Sequence, residues 1–238
     1  MPPRSRRAAP PAAAVEPRWE RRPEVRPQEL LQAALRVFAE RGYGATRLEE
    51  VAEAAGVTKG ALYHYYDTKA DLLRQALEEW MRRSAEAFDQ MLREELVGCA
   101  AAKLRLLARK TLTRWQEPAS ARVMRLLAGE ISVVAPDIHR AWQEEILARG
   151  WHAFAALIRE GQDAGEFRRD VDVDAVARLL VAGFVQQFLA QQQQQQQQHH
   201  HRQDAPPHGG FDMDRLADAG IELLVQGLRP YVLAAPPA

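Results

Sequence analysis

The stretch GVTKGALYHYYDTKADLL (residues 56–73) sets three tyrosines and a histidine within four positions, directly after a glycine and a Thr-Lys-Gly step. A core helix would carry leucines there, and a plain solvated face would carry Glu and Lys. Rings with polar tips on one short helix suit contact with a duplex. Their hydroxyls bond phosphates and brace the helix without reading sequence.

Reading outward from this stretch, Gly56 stops a helix that opens in TRLEEVAEAAG, where Thr46 and Glu49 stand in capping-box spacing. Thr58 caps a short helix to about residue 66, and Thr68 with Asp71 repeats the box at the next start. Upstream, Leu30, Leu31, Ala34, Val37 and Phe38 recur at helical spacing over 27–40, and Gly42 and Gly44 end that helix. Leu48, Val51, Ala52 and Ala55 face inward from the second helix, Val57 plugs the turn, and Leu62 and Tyr66 anchor the third. Two short helices joined by a tight turn, with another packed behind, form a helix-turn-helix.

The expected DNA-contact set is Thr46, Thr58, Lys59, Gly60, Ala61, Tyr63, His64, Tyr65 and Lys69. Amides around 58–60 offer a phosphate or base-edge site at a helix start. Gly60 and Ala61 are slim enough for the helix to enter the major groove, with the Ala61 methyl against a thymine methyl and Lys59 toward guanine acceptors. His64 is a second expected base reader. Tyr63, Tyr65 and Lys69 are expected on phosphates. The competing reading is an amphipathic hairpin whose tyrosines lie on neighbouring helices.

At 238 residues, 47% hydrophobic and 27% charged, the chain has ample length for a buried core. A formal net charge of zero counts against binding to nucleic acid by bulk charge, so with DNA as the partner the cations must be placed locally. Residues 1–26 carry seven arginines against three glutamates, a basic arm or a disordered leader without a role. No run of about 18 apolar residues is expected to span a membrane, and the start lacks the apolar core of a signal peptide. With one cysteine, Cys99, and hence no internal disulfide, the expected compartment is the cytoplasm.

Further helices are expected over 69–96, 100–115, 119–131, 136–164, 172–190 and 212–228, and no strand. The fold class is all-α, about nine helices. The expected division is a basic arm (1–26), a three-helix DNA-binding unit (27–72) and a larger helical bundle for effector binding and dimerisation (73–238), with a Gln/His-rich insert at 191–210. Gln191–Gln198 with His199, His200 and His201 reads as a solvated repeat or as a metal site; adjacent histidines on such a tract fix no coordination geometry. No metal ligand set is assigned.

A cavity is expected inside the bundle between about 99 and 167. Trp115, Met124, Trp142, Trp151 and Phe154 are candidate lining residues, although each also fits plain core. Glu130, Arg125, His139 and His152 are candidates for its polar contacts. Phosphate-cradling loops, zinc-binding His-Glu helices, paired cysteines and nucleophile elbows do not occur. No catalytic residue, enzyme activity or cofactor is assigned.

The block FAERGYGATRLEEVAEAAGVTKGALYHYYDTKADLL (residues 38–73) resembles the DNA-binding domain of the TetR/AcrR transcriptional regulators. The match runs through Gly42-Tyr43, Thr46, Val51-Ala52, Ala55-Gly56-Val57, Thr58-Lys59-Gly60, Leu62 to Tyr66, and Lys69 to Leu72; Tyr66 stands where phenylalanine is more usual. The resemblance implies a homodimeric regulator, usually a repressor, whose C-terminal domain binds a small-molecule effector and dimerises through its last two helices. Two apolar stripes agree: Val173, Val176, Leu180, Phe184 and Phe188, then Leu216, Gly220, Leu223, Leu224 and Gly227. Paired across a dimer they would close a four-helix bundle; the other reading packs both within one chain. The operator is expected to be palindromic. Two alternatives stand beside this: an activator or architectural regulator without a ligand, and a metal-responsive protein using the histidine tract.

Overall fold

The computed structural model describes residues 27–200 and 213–230, with side chains described over 27–193, at 215 and over 218–230. The basic arm, insert residues 201–210 and the side chain of Leu216 lie outside the described residues.

Among the described residues the secondary structure is wholly helical: α1 (Pro27–Arg41), α2 (Leu48–Ala55), α3 (Lys59–Tyr65), α4 (Lys69–Glu94), α5 (Ala100–Gln116) and α6 (Pro118–Ala128). Then follow α7 (Glu130–Val134), α8 (Pro136–Ala141), α9 (Ala148–Asp163), α10 (Val173–His200) and α11 (Met213–Leu228). Two places differ from the expected helices. Gly129, at φ −98° and ψ −104°, breaks the one expected over 119–131 into α6 and α7. The one expected over 136–164 is continuous, but its turns Trp142–Leu147 widen into a π-helical segment between α8 and α9.

Local chemistry explains the starts and stops. Thr58 Oγ1 accepts from the Ala61 N–H at 3.2 Å, and Thr68 Oγ1 from the Asp71 N–H at 3.0 Å, each meeting an orphan donor of a first turn. Gly56, at φ +70°, closes α2 in the left-handed conformation that glycine adopts without strain. The capping box expected at Thr46 and Glu49 lies one residue later: Glu50 Oε2 accepts from the Arg47 N–H at 3.1 Å. Thr46 Oγ1 instead donates to the Gly42 carbonyl at 2.7 Å and is 2% exposed. The start of α5 is capped from afar, its Ala100 and Ala101 N–H groups donating to the Glu166 carboxylate at 3.2 and 3.3 Å.

The small N-terminal unit and the bundle share one apolar core. Leu30, Ala34 and Phe38 of α1 are buried with Leu72, Leu73 and Leu77 of α4, while Val51, Leu62 and Tyr66 close the helix-turn-helix beneath. Helix α1 also packs on α6, and α4 runs without interruption across the boundary drawn at 72/73. In the bundle α5 packs on α9 and α11, and α9 on α10. One stretch, Val173–Gln193, is long and apolar enough by length and composition alone to cross a membrane, although it holds no unbroken run of 18 apolar residues. Here Ala177, Val181, Phe184 and Phe188 of that stretch are buried in the core of the bundle.

Candidate nucleic-acid interface and effector cavity

Helix α3 is short and held by few contacts of its own: the Thr58 cap, and Leu62 and Tyr66 turned into the core. That leaves Tyr63 43% and Tyr65 55% exposed, with Lys59, Gly60 and His64 also exposed and Ala61 half-buried. A Cβ added at Gly60 would meet nothing within 4 Å, so the helix start is open to an approaching surface. The His64 ring sits edge-on to Tyr65 with centroids 5.4 Å apart, and Lys59 Nζ lies 5.6 Å from the Tyr63 ring centre. Lys59 also pairs with Glu49 of α2. That hydrogen bond holds the Glu49 carboxyl below its ordinary pKa and raises that of Lys59. Burial raises the Tyr66 phenol, which stays neutral.

Two residues of the expected contact set are engaged elsewhere. The Lys69 ammonium donates to the carbonyls of Tyr43, Thr46 and Gly44 at 2.7, 3.0 and 3.4 Å and lies 4.4 Å from the Tyr43 ring centre. It fastens the turn between α1 and α2 and is not held out toward a phosphate. Thr46 is buried in the same turn. The N–H groups of that turn go to the bundle: Glu130 Oε2, at the start of α7, accepts from Tyr43 and Gly44. Glu130 therefore joins the two units and does not face the cavity.

The cavity lies between α4, α5, α6, the π-helical segment, α9 and α10, with about 790 Å³ of empty space, part of it open to solvent. Trp115, Met124 and Phe154 line it as expected, joined by Trp80, Phe88 and Phe184. Trp142 and Trp151 do not line it. Trp142 is buried 5.4 Å from the His139 ring, and Trp151 stacks under the Arg178 guanidinium at 4.2 Å. The expected polar residues are also elsewhere: Arg125 donates to Gln192, His139 Nδ1 meets the Leu127 carbonyl at 2.9 Å, and His152 is exposed. Desolvation, then the neighbouring Arg122, lowers the Arg125 pKa. The polar wall instead comes from Ser84, Lys110, Thr111, Arg114, Ser120 and Arg149. On α5, Lys110, Thr111, Arg114 and Trp115 share a face by helical spacing, the one sequence signal that marks this wall.

The expected dimer stripe on α10 is corrected in part. Phe184 and Phe188 are 4% and 0% exposed, filled within the protomer by Phe154 and Trp115 at centroid distances of 6.2 and 6.1 Å. Val176, Leu180, Gly220 and Leu224 are half-buried, while Gly227 is exposed. Among the described residues of these two helices, the large apolar side chains left in solvent are Leu179 (73% exposed) on α10 and Leu223 (76%) on α11. Among the described residues no group of three or more His, Cys, Asp or Glu is placed to hold a metal ion.

A helix-turn-helix whose supporting helix also walls a cavity in the helical bundle defines the class of helix-turn-helix transcriptional regulators with a helical sensing domain. Residues 30–76 match the family described as bacterial regulatory proteins, tetR family, and residues 95–202 the tetracyclin repressor-like C-terminal domain. The chain belongs to the TetR family of transcriptional regulators. It is 32% identical over 164 residues to the transcriptional regulator AcuR of Cereibacter sphaeroides, covering 66% of this chain and 72% of that one. It is 27% identical over 152 residues to the transcriptional repressor KstR2 of Rhodococcus jostii, covering 64% and 72%. Its fold superposes on FadR from Bacillus subtilis in complex with stearoyl-CoA with a TM-score of 0.63 at 23% identity, over 86% of this chain and all of that one. These relatives are regulators, and no catalytic family matches among them.

Proposed function

We propose that the chain is a homodimeric repressor, acting in the cytoplasm, that binds a palindromic operator and leaves it when a small molecule fills the bundle cavity. The division of labour is DNA binding by 27–72 and effector binding and dimerisation by 73–238. Lys59 and His64 read base edges, Thr58, Gly60 and Ala61 bring the start of α3 into the major groove, and Tyr63 and Tyr65 bond phosphates. The chain acts by binding and not by catalysis.

The observation that carries this reading is that α4 serves both sites. Its first residue, Lys69, fastens the turn ahead of the helix-turn-helix, and about three to five turns on, Trp80, Ser84 and Phe88 wall the cavity. A ligand that favours one position of α4 therefore shifts the population of DNA-competent dimers. The repressor KstR2 and the stearoyl-CoA complex of the regulator FadR support a repressor that takes a small-molecule ligand. The test is selection of bound duplexes from a random library with the full-length chain. The expected motif is palindromic, with half-site centres about one helical turn apart, and light scattering is expected to give a dimer at micromolar concentration. A chain that selects no motif and shows no salt-dependent affinity for DNA would overturn the reading.

A further inference from the structure

The charged side chains in the cavity wall are all cations. Lys110, Arg114 and Arg149 line it, and no Asp or Glu does. Lys110 and Arg149 are paired with carboxylates that lie outside the wall, Glu95 and Asp89. The guanidinium of Arg114, half-buried, has no ion pair or hydrogen bond among the described residues. Two further polar atoms in the wall are buried and lack a partner: the Thr111 hydroxyl oxygen and Arg149 Nε. Thr111 and Arg114 lie three residues apart, so both project from one face of α5. Apart from Ser84 and Ser120 the remaining wall is apolar, with Trp80, Phe88, Met124 and Phe154.

Resting on the reading of this cavity as the effector site, the geometry points to an organic acid as the effector. It has an apolar body, bearing a ring or an alkyl chain, and one acid group held by the Arg114 guanidinium and the Thr111 hydroxyl. An anion entering an apolar space must find hydrogen-bond donors there, and an arginine-to-carboxylate bond is among the strongest that proteins offer. A cationic ligand would meet the uncompensated charge of Arg114 and no carboxylate in the wall. A neutral apolar ligand would leave the partnerless donors unsatisfied, the situation in which sites discriminate most sharply against an analogue. The apolar walls account for the rest of the molecule by burial.

Two fluorescent probes with one ring body test this on the full-length protein: 8-anilinonaphthalene-1-sulfonate, an anion, and N-phenyl-1-naphthylamine, which is neutral. The anionic probe is expected to bind at least tenfold tighter, and octanoate to displace it where octanol at equal concentration does not. Arg114→Gln is expected to weaken the anionic probe tenfold or more while leaving the neutral one within twofold, and Arg114→Lys to keep most of the preference. Met124→Trp, which fills the cavity, is expected to weaken both; Ser120→Trp is a second filler should Met124→Trp lose its helical circular dichroism. Equal affinity for the two probes, or a preference that survives Arg114→Gln, overturns the acid assignment and leaves the cavity standing as the effector site. Undiminished binding of both probes to the folded, filled variants overturns the cavity as the site, and the effector reading with it.

Discussion

Glu130 Oε2 accepts the backbone N–H of Tyr43 at 2.7 Å, 87 residues away along the chain, and that of Gly44 at 3.2 Å. From the other side, Lys69 takes the carbonyls of residues 43, 44 and 46. The turn ahead of the helix-turn-helix is thus held by its donors to the bundle and by its acceptors to α4. A glycine is required at its first position: Gly42 has φ +83°, and a Cβ there would come within 2.4 Å of Glu130 Oε1.

Removing the Glu130 carboxylate leaves two turn N–H groups without their acceptor. Glu130→Ala is expected to lower stability by about 1–3 kcal/mol. For a chain of this length that is a fall in Tm of about 2–4 °C per kcal/mol. Glu130→Gln, which keeps one acceptor oxygen, should recover part of it. Thermal unfolding of the three proteins followed by circular dichroism checks this, and an unchanged Tm in Glu130→Ala would show the contact to be idle.

Lys69 looks from sequence like a phosphate contact, and its bonds in the turn give a different expectation. Lys69→Ala should destabilise the N-terminal unit. The slope of log affinity against log salt should stay unchanged at temperatures where the variant is folded, since no phosphate neutralisation is lost. Titration of operator DNA at several salt concentrations measures it. A slope lower by about one unit per half-site would return Lys69 to the backbone-contact set.

Glu49 places a negative charge on the DNA-facing side and occupies Lys59. Glu49→Gln is expected to tighten binding to all sequences, whereas Lys59→Ala should relax the preference at particular base pairs by roughly 1–3 kcal/mol. The pH dependence has a definite sign. Because Lys59 holds the Glu49 pKa below its ordinary value, the pair persists to lower pH than an isolated glutamate would and is lost as pH falls through that lowered pKa. The affinity ratio between Glu49→Gln and wild type should therefore stay constant from pH 8 to pH 6. A ratio that collapses within that interval would contradict it.

The exposed leucines give the dimer test. Leu223→Glu is expected to shift the chain toward monomer in light scattering with its helical signal intact, because Leu223 touches little within the protomer. Phe184→Glu, which puts a charge into a buried site beside Phe154, should instead lower Tm by many degrees. A folded Leu223→Glu dimer of undiminished affinity would move the interface off this face of α11.

What the sequence determined by itself was local. Thr58 and Thr68 cap their helices, Gly56 and Gly42 turn the chain, and the 3.6-residue spacing of Leu30, Ala34 and Phe38 marks a buried face, because each depends only on residues within a turn or two. The exposed rings of α3 were legible for the same reason: once Leu62 and Tyr66 turn inward, Tyr63 and Tyr65 have only the other side. Tertiary structure decided the rest. Lys69 meets carbonyls some 25 residues upstream, and Glu130 amides 87 residues upstream, so neither role has a local spacing to betray it. Trp142 and Trp151 look as suited to a cavity as Trp115 until α8 to α10 pack and seal them off from it. On α10, apolar side chains occur on more than one face, so composition alone could not say that Phe184 and Phe188 turn inward while Leu179 meets solvent. Only the packing of α10 against its neighbours fixes that rotation.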